Sequence, residues 1–345
     1  MKTKSVCVAL LLLATSGAWA GGFLGRLLST TLNRLVITIL PPGKSNPSNM
    51  SLVDGDMMCV SMMDQPAARQ IHAAEAHEVA TGKGVVVAVL DGGFDLGHAV
   101  LSGKLTAARA DTLDGGSDPN DLGDGYDNYG EGTPDNAVGH GNFVAGMVLL
   151  SAPDARIMPI RVMDDEGYGN NGSIANGLRF AVRNGARVVN ISAQAALLGQ
   201  ADVRNALDEA YARGVVVVAS AGNEGRSDLG VIASDSRSVS VGAVDSRNVV
   251  APFSNTAGWG EQLAVFAPGV DLEGPLTRGE MGVWSGTSFS AGLTSGAVAL
   301  WLQLEPTSSP SKTLARMKAC VNPAFDRNGR RCAAGVVDLM KVVSR

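Results

Sequence analysis

Charge, cysteine and histidine are all scarce in this chain, and each scarcity narrows what it does. Asp, Glu, Lys and Arg make up 18% of its 345 residues, against a usual ~25%, while apolar residues make up 45%. Disordered chains have the opposite balance, so a sizeable buried core is expected. Basic clusters are missing and the net charge is −5, which argues against a nucleic-acid partner. No His-Glu-x-x-His occurs, so the helix-borne zinc peptidase site is excluded. The four histidines are His72, His77, His98 and His140. Glycine, by contrast, is abundant at 43 residues without a collagen-like period, as expected for many tight turns and close backbone approaches.

Residues 1–20 read as a secretory signal. Lys2 and Lys4 precede an apolar run over 6–14, and Ala18-Trp19-Ala20 supplies small residues for cleavage. The run falls short of the roughly 18–20 apolar residues that span a bilayer. The expectation is therefore export, to a periplasmic, extracellular or cell-surface location, with no stable membrane span after cleavage. Cleavage removes Cys7 and leaves Cys59, Cys320 and Cys332. In an oxidising compartment Cys320 and Cys332 are near enough in sequence to close a short loop, worth roughly 3 kcal/mol; Cys59 has no assigned partner. Residues 21–63 differ in composition: an apolar stretch, Pro41-Pro42-Gly43, a Ser/Asn/Pro segment and a methionine cluster. They read as an N-terminal extension or short pro-segment with a linker.

Residues 64–345 read as one domain. Residues 84–90 form a continuous apolar, β-branched run, as in a strand buried on both faces, and similar runs cover 156–163, 186–192, 214–220 and 238–244. Between them Ile174, Leu178 and Val182, then Val203, Leu207 and Tyr211, repeat at helical spacing. Alternating strands and helices predict an α/β fold: a doubly wound, mostly parallel sheet with helices on both faces.

In such sheets the chemistry gathers at the carboxyl ends of strands. Asp91 directly follows the first run and precedes Gly92-Gly93; a carboxylate there suits the orienting acid of a catalytic triad, though Asp-Gly is also a common turn. His140 sits between glycines at the start of a small-residue helix, and is either structural or a proton carrier. Asn223, in Ala221-Gly222-Asn223-Glu224-Gly225, follows a strand and carries an amide able to donate to an oxyanion. Ser288, in Gly286-Thr287-Ser288, opens an apolar helix running to about residue 304; it is a helix cap or a nucleophile at a helix N-terminus.

Together, in the order Asp91, His140, Asn223, Ser288, these segments resemble the subtilisin-like (subtilase) serine peptidases. Asp91 after its strand, Gly139-His140-Gly141 with Val144-Ala145-Gly146, Ala221-Gly222-Asn223 and Gly286-Thr287-Ser288 are similar to that family's four motifs, and the likeness covers roughly residues 64–305. The resemblance implies a secreted endopeptidase with Asp91, His140 and Ser288 as triad and Asn223 as oxyanion donor. It implies a polypeptide substrate in a cleft bordered by Ser192, Ala193, Gln194, Ala221 and Gly222, and no cofactor for the chemistry. This chain departs from the family at Gly92, Asn142-Phe143, Gln194 and Gly292. Subtilases often bind structural calcium, and eight acidic residues between Asp111 and Asp135 offer oxygen ligands, although a solvated acidic loop fits as well. An α/β-hydrolase esterase is disfavoured, since Gly286-Thr287-Ser288-Phe289-Ser290 is not Gly-x-Ser-x-Gly and the triad order differs. The remaining rival is an inactive subtilase fold serving as a binding or chaperone module.

Overall fold

A computed structural model describes residues 37–38, 51–53, 62–121, 123–126, 135, 137–193, 200–257 and 263–344. The expected signal segment, most of 21–63, Cys59 and Gln194 lie outside the described residues. Two short strands, β1 (Ile37–Thr38) and β2 (Ser51–Val53), precede β3 (Val86–Asp91), β4 (Ala110–Asp111) and β5 (Arg156–Arg161). Then come β6 (Tyr168–Gly169), β7 (Val188–Ile191), β8 (Val216–Ser220), β9 (Val239–Val244) and β10 (Val265–Pro268). The last four are β11 (Leu272–Pro275), β12 (Met281–Trp284), β13 (Val321–Asn322) and β14 (Val336–Val337). The α-helices are α1 (Pro66–Gln70), α2 (Ala73–His77), α3 (His140–Ser151), α4 (Asn171–Arg183), α5 (Gln200–Ala212), α6 (Thr287–Leu304), α7 (Pro310–Ala319) and α8 (Leu339–Val343). All five apolar runs singled out in the sequence are strands, with ends shifted by up to two residues.

Among the described residues, nine strands form one sheet in the order β13-β14-β10-β9-β8-β7-β3-β5-β4. Every pairing is parallel except β13 with β14 at the edge. The expected doubly wound α/β architecture is borne out. Pleating splits each strand between two cores: Val87 and Val89 of β3 pack on one side, Ala88 and Leu90 on the other. Helices α3 and α6 lie in the first core and α4 and α5 in the second. Helix α3 is buried on all sides, which its nearly uniform apolar sequence requires. In α4 only one stripe is buried, including Ile174 and Leu178, and Asn170 caps it reciprocally with Ser173.

One expectation is corrected. Cys320 and Cys332 are both free thiols. Cys320 follows α7 and is buried in the core that holds α3 and α6, whereas Cys332 packs against the core on the opposite face of the sheet. Nearness in sequence did not become nearness in space, because the sheet lies between them. Burial pushes both thiols up, away from the reactive thiolate. Alkylation of the unfolded protein without reductant should therefore label both; protection of the pair until reduction would contradict this.

Candidate active site

The strand order reverses beside β3, which has the later strand β5 on one side and β7 on the other. A crevice opens at the carboxyl end of such a strand. Asp91 is the last residue of β3 and is fully buried. Its Oδ1 accepts a hydrogen bond from Gly92 N at 2.8 Å and lies 2.7 Å from His140 Nδ1. A carboxylate accepts only, so the Nδ1 proton belongs to this contact and Nε2 is left as the acceptor of the neutral ring.

His140 begins α3, and the two glycines beside it answer different needs. Gly139, at the N-cap, has φ 86°, in the left-handed region that glycine favours. Gly141 packs so tightly on the loop after β3 that a Cβ there would overlap Gly93 O. Gly141→Ala should therefore push α3 away from Asp91, costing about 1–3 kcal/mol of stability. Thermal unfolding checks this; an unchanged Tm would contradict the close approach.

The residues after His140 also find work in the structure. Asn142 Oδ1 accepts from Asp95 N at 2.9 Å and its Nδ2 donates to Leu276 O, tying the start of α3 to two loops. Phe143 packs on Phe289, ring centroids 4.3 Å apart, and edge-on to Trp284 at 6.0 Å. Phe289 and Trp284 in turn lie 5.3 Å and 5.4 Å from the His140 ring. The imidazole is thus walled by aromatic rings and is 3% exposed.

Ser288 is the second residue of α6, and Phe289, the ring against His140, follows it directly. Its Oγ is buried and has no hydrogen-bond partner among the described residues; neither has Asp91 Oδ2. Orphaned buried polar atoms cost about 1–3 kcal/mol each, so the serine hydroxyl at this helix start and the free oxygen of the carboxylate that holds His140 are both kept at a cost to stability. Helix α6 reaches this position by crossing close to α3. A Cβ at Gly292 would sit 2.9 Å from both Met147 Cβ and Val144 O, which explains glycine where subtilases commonly have proline.

Asn223 follows β8 and is buried. Its Oδ1 accepts from Thr287 N and Thr287 Oγ1, both at 2.9 Å, so the carboxamide nitrogen is the donor end. Thr287, which sequence reasoning passed over, thereby links the Asn223 amide to the residue before Ser288. The cleft candidates Ser192, Ala193, Ala221 and Gly222 are all buried beside these elements. Ser192 Oγ donates to Ser288 O at 3.4 Å and accepts from Asn190 Nδ2 at 2.9 Å.

The other histidines make contacts outside this site: His72 Nδ1 lies 3.1 Å from Asp338 Oδ2. His98 Nδ1 accepts from Val100 N and its Nε2 lies 3.1 Å from Glu280 O. His77 packs on Ser151 O, and burial lowers its pKa.

The acidic loop divides in two. Arg161 Nη1 contacts Asp111 and Asp114 at 2.7 Å each, so that pair already holds a cation. Asp124, Asp135 and Asp165, the last unforeseen, bring carboxylate oxygens within 4.8 Å of one another. Asp121 Oδ2 accepts from Gly139 N at 2.6 Å, next to His140. Burial, above all, raises the Asp121 pKa from 3.8 to about 6, with Asp91 and Asp165 adding repulsion and the Gly139 hydrogen bond opposing. The folded state then keeps a proton that the unfolded state loses, and this group's contribution to stability declines as pH rises from 3.8 to about 6. Asp121→Asn should gain Tm relative to the parent across that window, measured in a chelating buffer; a constant difference would contradict the shift.

The subtilase family profile matches residues 82–331. Subtilisin of Bacillus pumilus is 33% identical over 264 residues, covering 72% of this chain and 88% of that protein. Subtilisin E of Bacillus subtilis (strain 168) is likewise 33% identical over 264 residues, and there the match spans 72% of this chain but 64% of the relative's length. A solved protease structure from Pseudoalteromonas arctica PAMC 21717 superposes with a TM-score of 0.70 at 26% identity, covering 79% of this chain and 93% of that one. With a profile match over most of its length and 33% identity to a subtilisin across 72% of its residues, the chain belongs to the subtilase family.

Proposed function

We propose that the protein is an exported serine endopeptidase that cleaves polypeptides through an acyl-enzyme. The observation that carries this reading is the buried 2.7 Å contact between Asp91 and His140 at the strand-order reversal, against the helix start that bears Ser288. Family membership supports it.

In this mechanism His140 Nε2 takes the Ser288 hydroxyl proton as Oγ attacks the scissile carbonyl. Catalytic hydrogen bonds often tighten only when substrate binds, so an unpartnered Oγ is compatible with that role. Asp91 holds the imidazole in the required tautomer and stabilises the imidazolium that forms. The oxyanion accepts hydrogen bonds from Asn223 Nδ2 and the Ser288 backbone N–H at the start of α6. Collapse of the tetrahedral intermediate breaks the C–N bond, and His140 gives its proton to the departing amine. Water, deprotonated by the same His140, then releases the acyl group from Oγ. The aromatic wall of Phe143, Trp284 and Phe289 keeps bulk water from the imidazole.

Incubating the purified protein with an unfolded polypeptide tests the activity. Internal cleavages abolished by a serine-directed inhibitor are expected; an intact substrate would contradict it.

Export rests on the signal pattern of residues 1–20 and on secreted life as the expectation for this family. Among the described residues no helix is long and apolar enough to cross a membrane. Residues 64–345 make up the peptidase domain in this reading, with 21–63 as extension or pro-segment.

A structural calcium ion fits Asp124, Asp135 and Asp165. Burial raises the Asp165 pKa, and a hard cation would relieve that penalty as well as the mutual repulsion. The ion would stabilise the loop ahead of His140 and take no part in the chemistry. A chelator should lower Tm; an unchanged Tm would retire the ion.

A further inference from the structure

The segment Ala221–Arg226 carries Asn223, yet it is not part of a helix or strand beyond the end of β8. An oxyanion donor must be held in place before the charge develops, so something has to fix this loop. One side chain does so from both flanks. Asn255 is 2% exposed and lies in the loop after β9. Its Oδ1 accepts from Glu224 N at 3.2 Å and from Arg226 N at 2.8 Å. Its Nδ2 donates to Ala221 O at 3.2 Å and to Glu224 Oε2 at 2.6 Å. Its own backbone N donates to Gly222 O at 2.8 Å. The carboxamide therefore uses both donors and both acceptor positions, all on residues flanking Asn223.

The fit is also steric. Asn255 Nδ2 occupies the space that a side chain at Gly222 would need. Neighbouring backbone contacts run the same way: Gly225 N donates to Phe253 O at 2.7 Å and Thr256 N to Arg226 O at 2.9 Å.

We propose that Asn255 is a positioning residue for the oxyanion site: it fastens the loop on both sides of Asn223 so that the Asn223 amide meets the developing negative charge. This rests on the assignment of Asn223 as oxyanion donor. Asn255 itself touches no substrate. Thr287 fixes the end of the Asn223 side chain, and Asn255 fixes the backbone from which that side chain projects. Loosening the loop weakens a contact made in the transition state, so kcat falls while KM holds.

The test is a double-mutant cycle on the full chain with a chromogenic peptide substrate. Turnover is normalised to active sites counted by a serine-directed phosphonate, so unfolded molecules drop out. Asn255→Ala is expected to lower kcat on the order of 10²-fold, the scale of a displacement of about 1 Å at a reacting centre. In an Asn223→Ala background the same change should cost nothing further, because the group it positions is gone. Multiplying losses in the double variant would overturn the proposal while leaving the Asn223 assignment intact. An unchanged kcat in Asn255→Ala would overturn it as well. Full turnover in Asn223→Ala would overturn the oxyanion assignment itself and the proposal with it. Should Asn255→Ala fail to fold, Asn255→Asp carries the same cycle: it keeps an acceptor for Glu224 N and Arg226 N, loses the donors to Ala221 O and Glu224 Oε2, and sets a second carboxylate against Glu224.

Discussion

Ser288→Ala is expected to lower kcat by about 10⁶-fold, the scale known from removing the nucleophile of subtilisin itself. Its thermal stability should be unchanged or slightly raised. The reason is local: Ser288 Oγ is buried without a hydrogen-bond partner, so deleting it strands no neighbour and removes an unsatisfied hydroxyl. Most buried polar deletions do the reverse. The pairing of outcomes is diagnostic, since a misfolded variant would lose both activity and Tm. Single-turnover kinetics beside calorimetry check it. Retained turnover would remove Ser288 from the mechanism, and a collapse of Tm would show that the hydroxyl has a structural partner.

Asp91→Asn should lower kcat by about 10⁴-fold with little change in KM, the loss seen when the corresponding triad aspartate is amidated in a serine protease of another fold. Asp91 Oδ1 accepts both from Gly92 N and from the His140 Nδ1–H. An asparagine that keeps its oxygen at this position still meets both donors but carries no charge to stabilise the imidazolium. One that turns its NH₂ there forces Nδ1 to accept, moves the proton to Nε2 and blocks the base that should receive the Ser288 proton. Steric volume is conserved, so α3 stays in place. Because the triad acts as a unit, adding Asp91→Asn to Ser288→Ala should cost almost nothing more. Rate measurements on both backgrounds decide; a tenfold or smaller loss in the single variant would mean that His140 is not oriented by Asp91.

The sheet was legible because its central strands are buried on both faces and their β-branched runs leave no helical alternative. Asp91 was legible by position, standing where β3 ends, and Ser288 by the apolar helix it opens. What the sequence concealed are partners brought together by the fold. Asn255 stands between Ser254 and Thr256, a polar stretch that reads as a turn, and nothing local marks its reach to Ala221 and Arg226. Thr287, which nothing in its neighbourhood singles out, is a tether for Asn223. Arg161 closes on Asp111 and Asp114 from roughly fifty residues away, so part of an acidic loop read as metal ligands or solvated surface is paired with a side chain of the protein itself. Cys320 and Cys332 misled in the opposite sense, being near in the chain and on opposite faces of the sheet. Departures from the family pattern became intelligible only in three dimensions, Gly292 by the approach of α6 to α3 and Phe143 by its ring contacts.

Peptide mapping after reaction with a fluorophosphonate probe tests the catalytic centre most directly. The probe reacts only with a serine whose proton has a base to go to and whose adduct has an oxyanion site to occupy. One adduct per molecule on Ser288, lost in His140→Ala, is the predicted result. A folded protein that takes no label, or takes it on another serine, would contradict the assignment and leave the fold to serve binding alone.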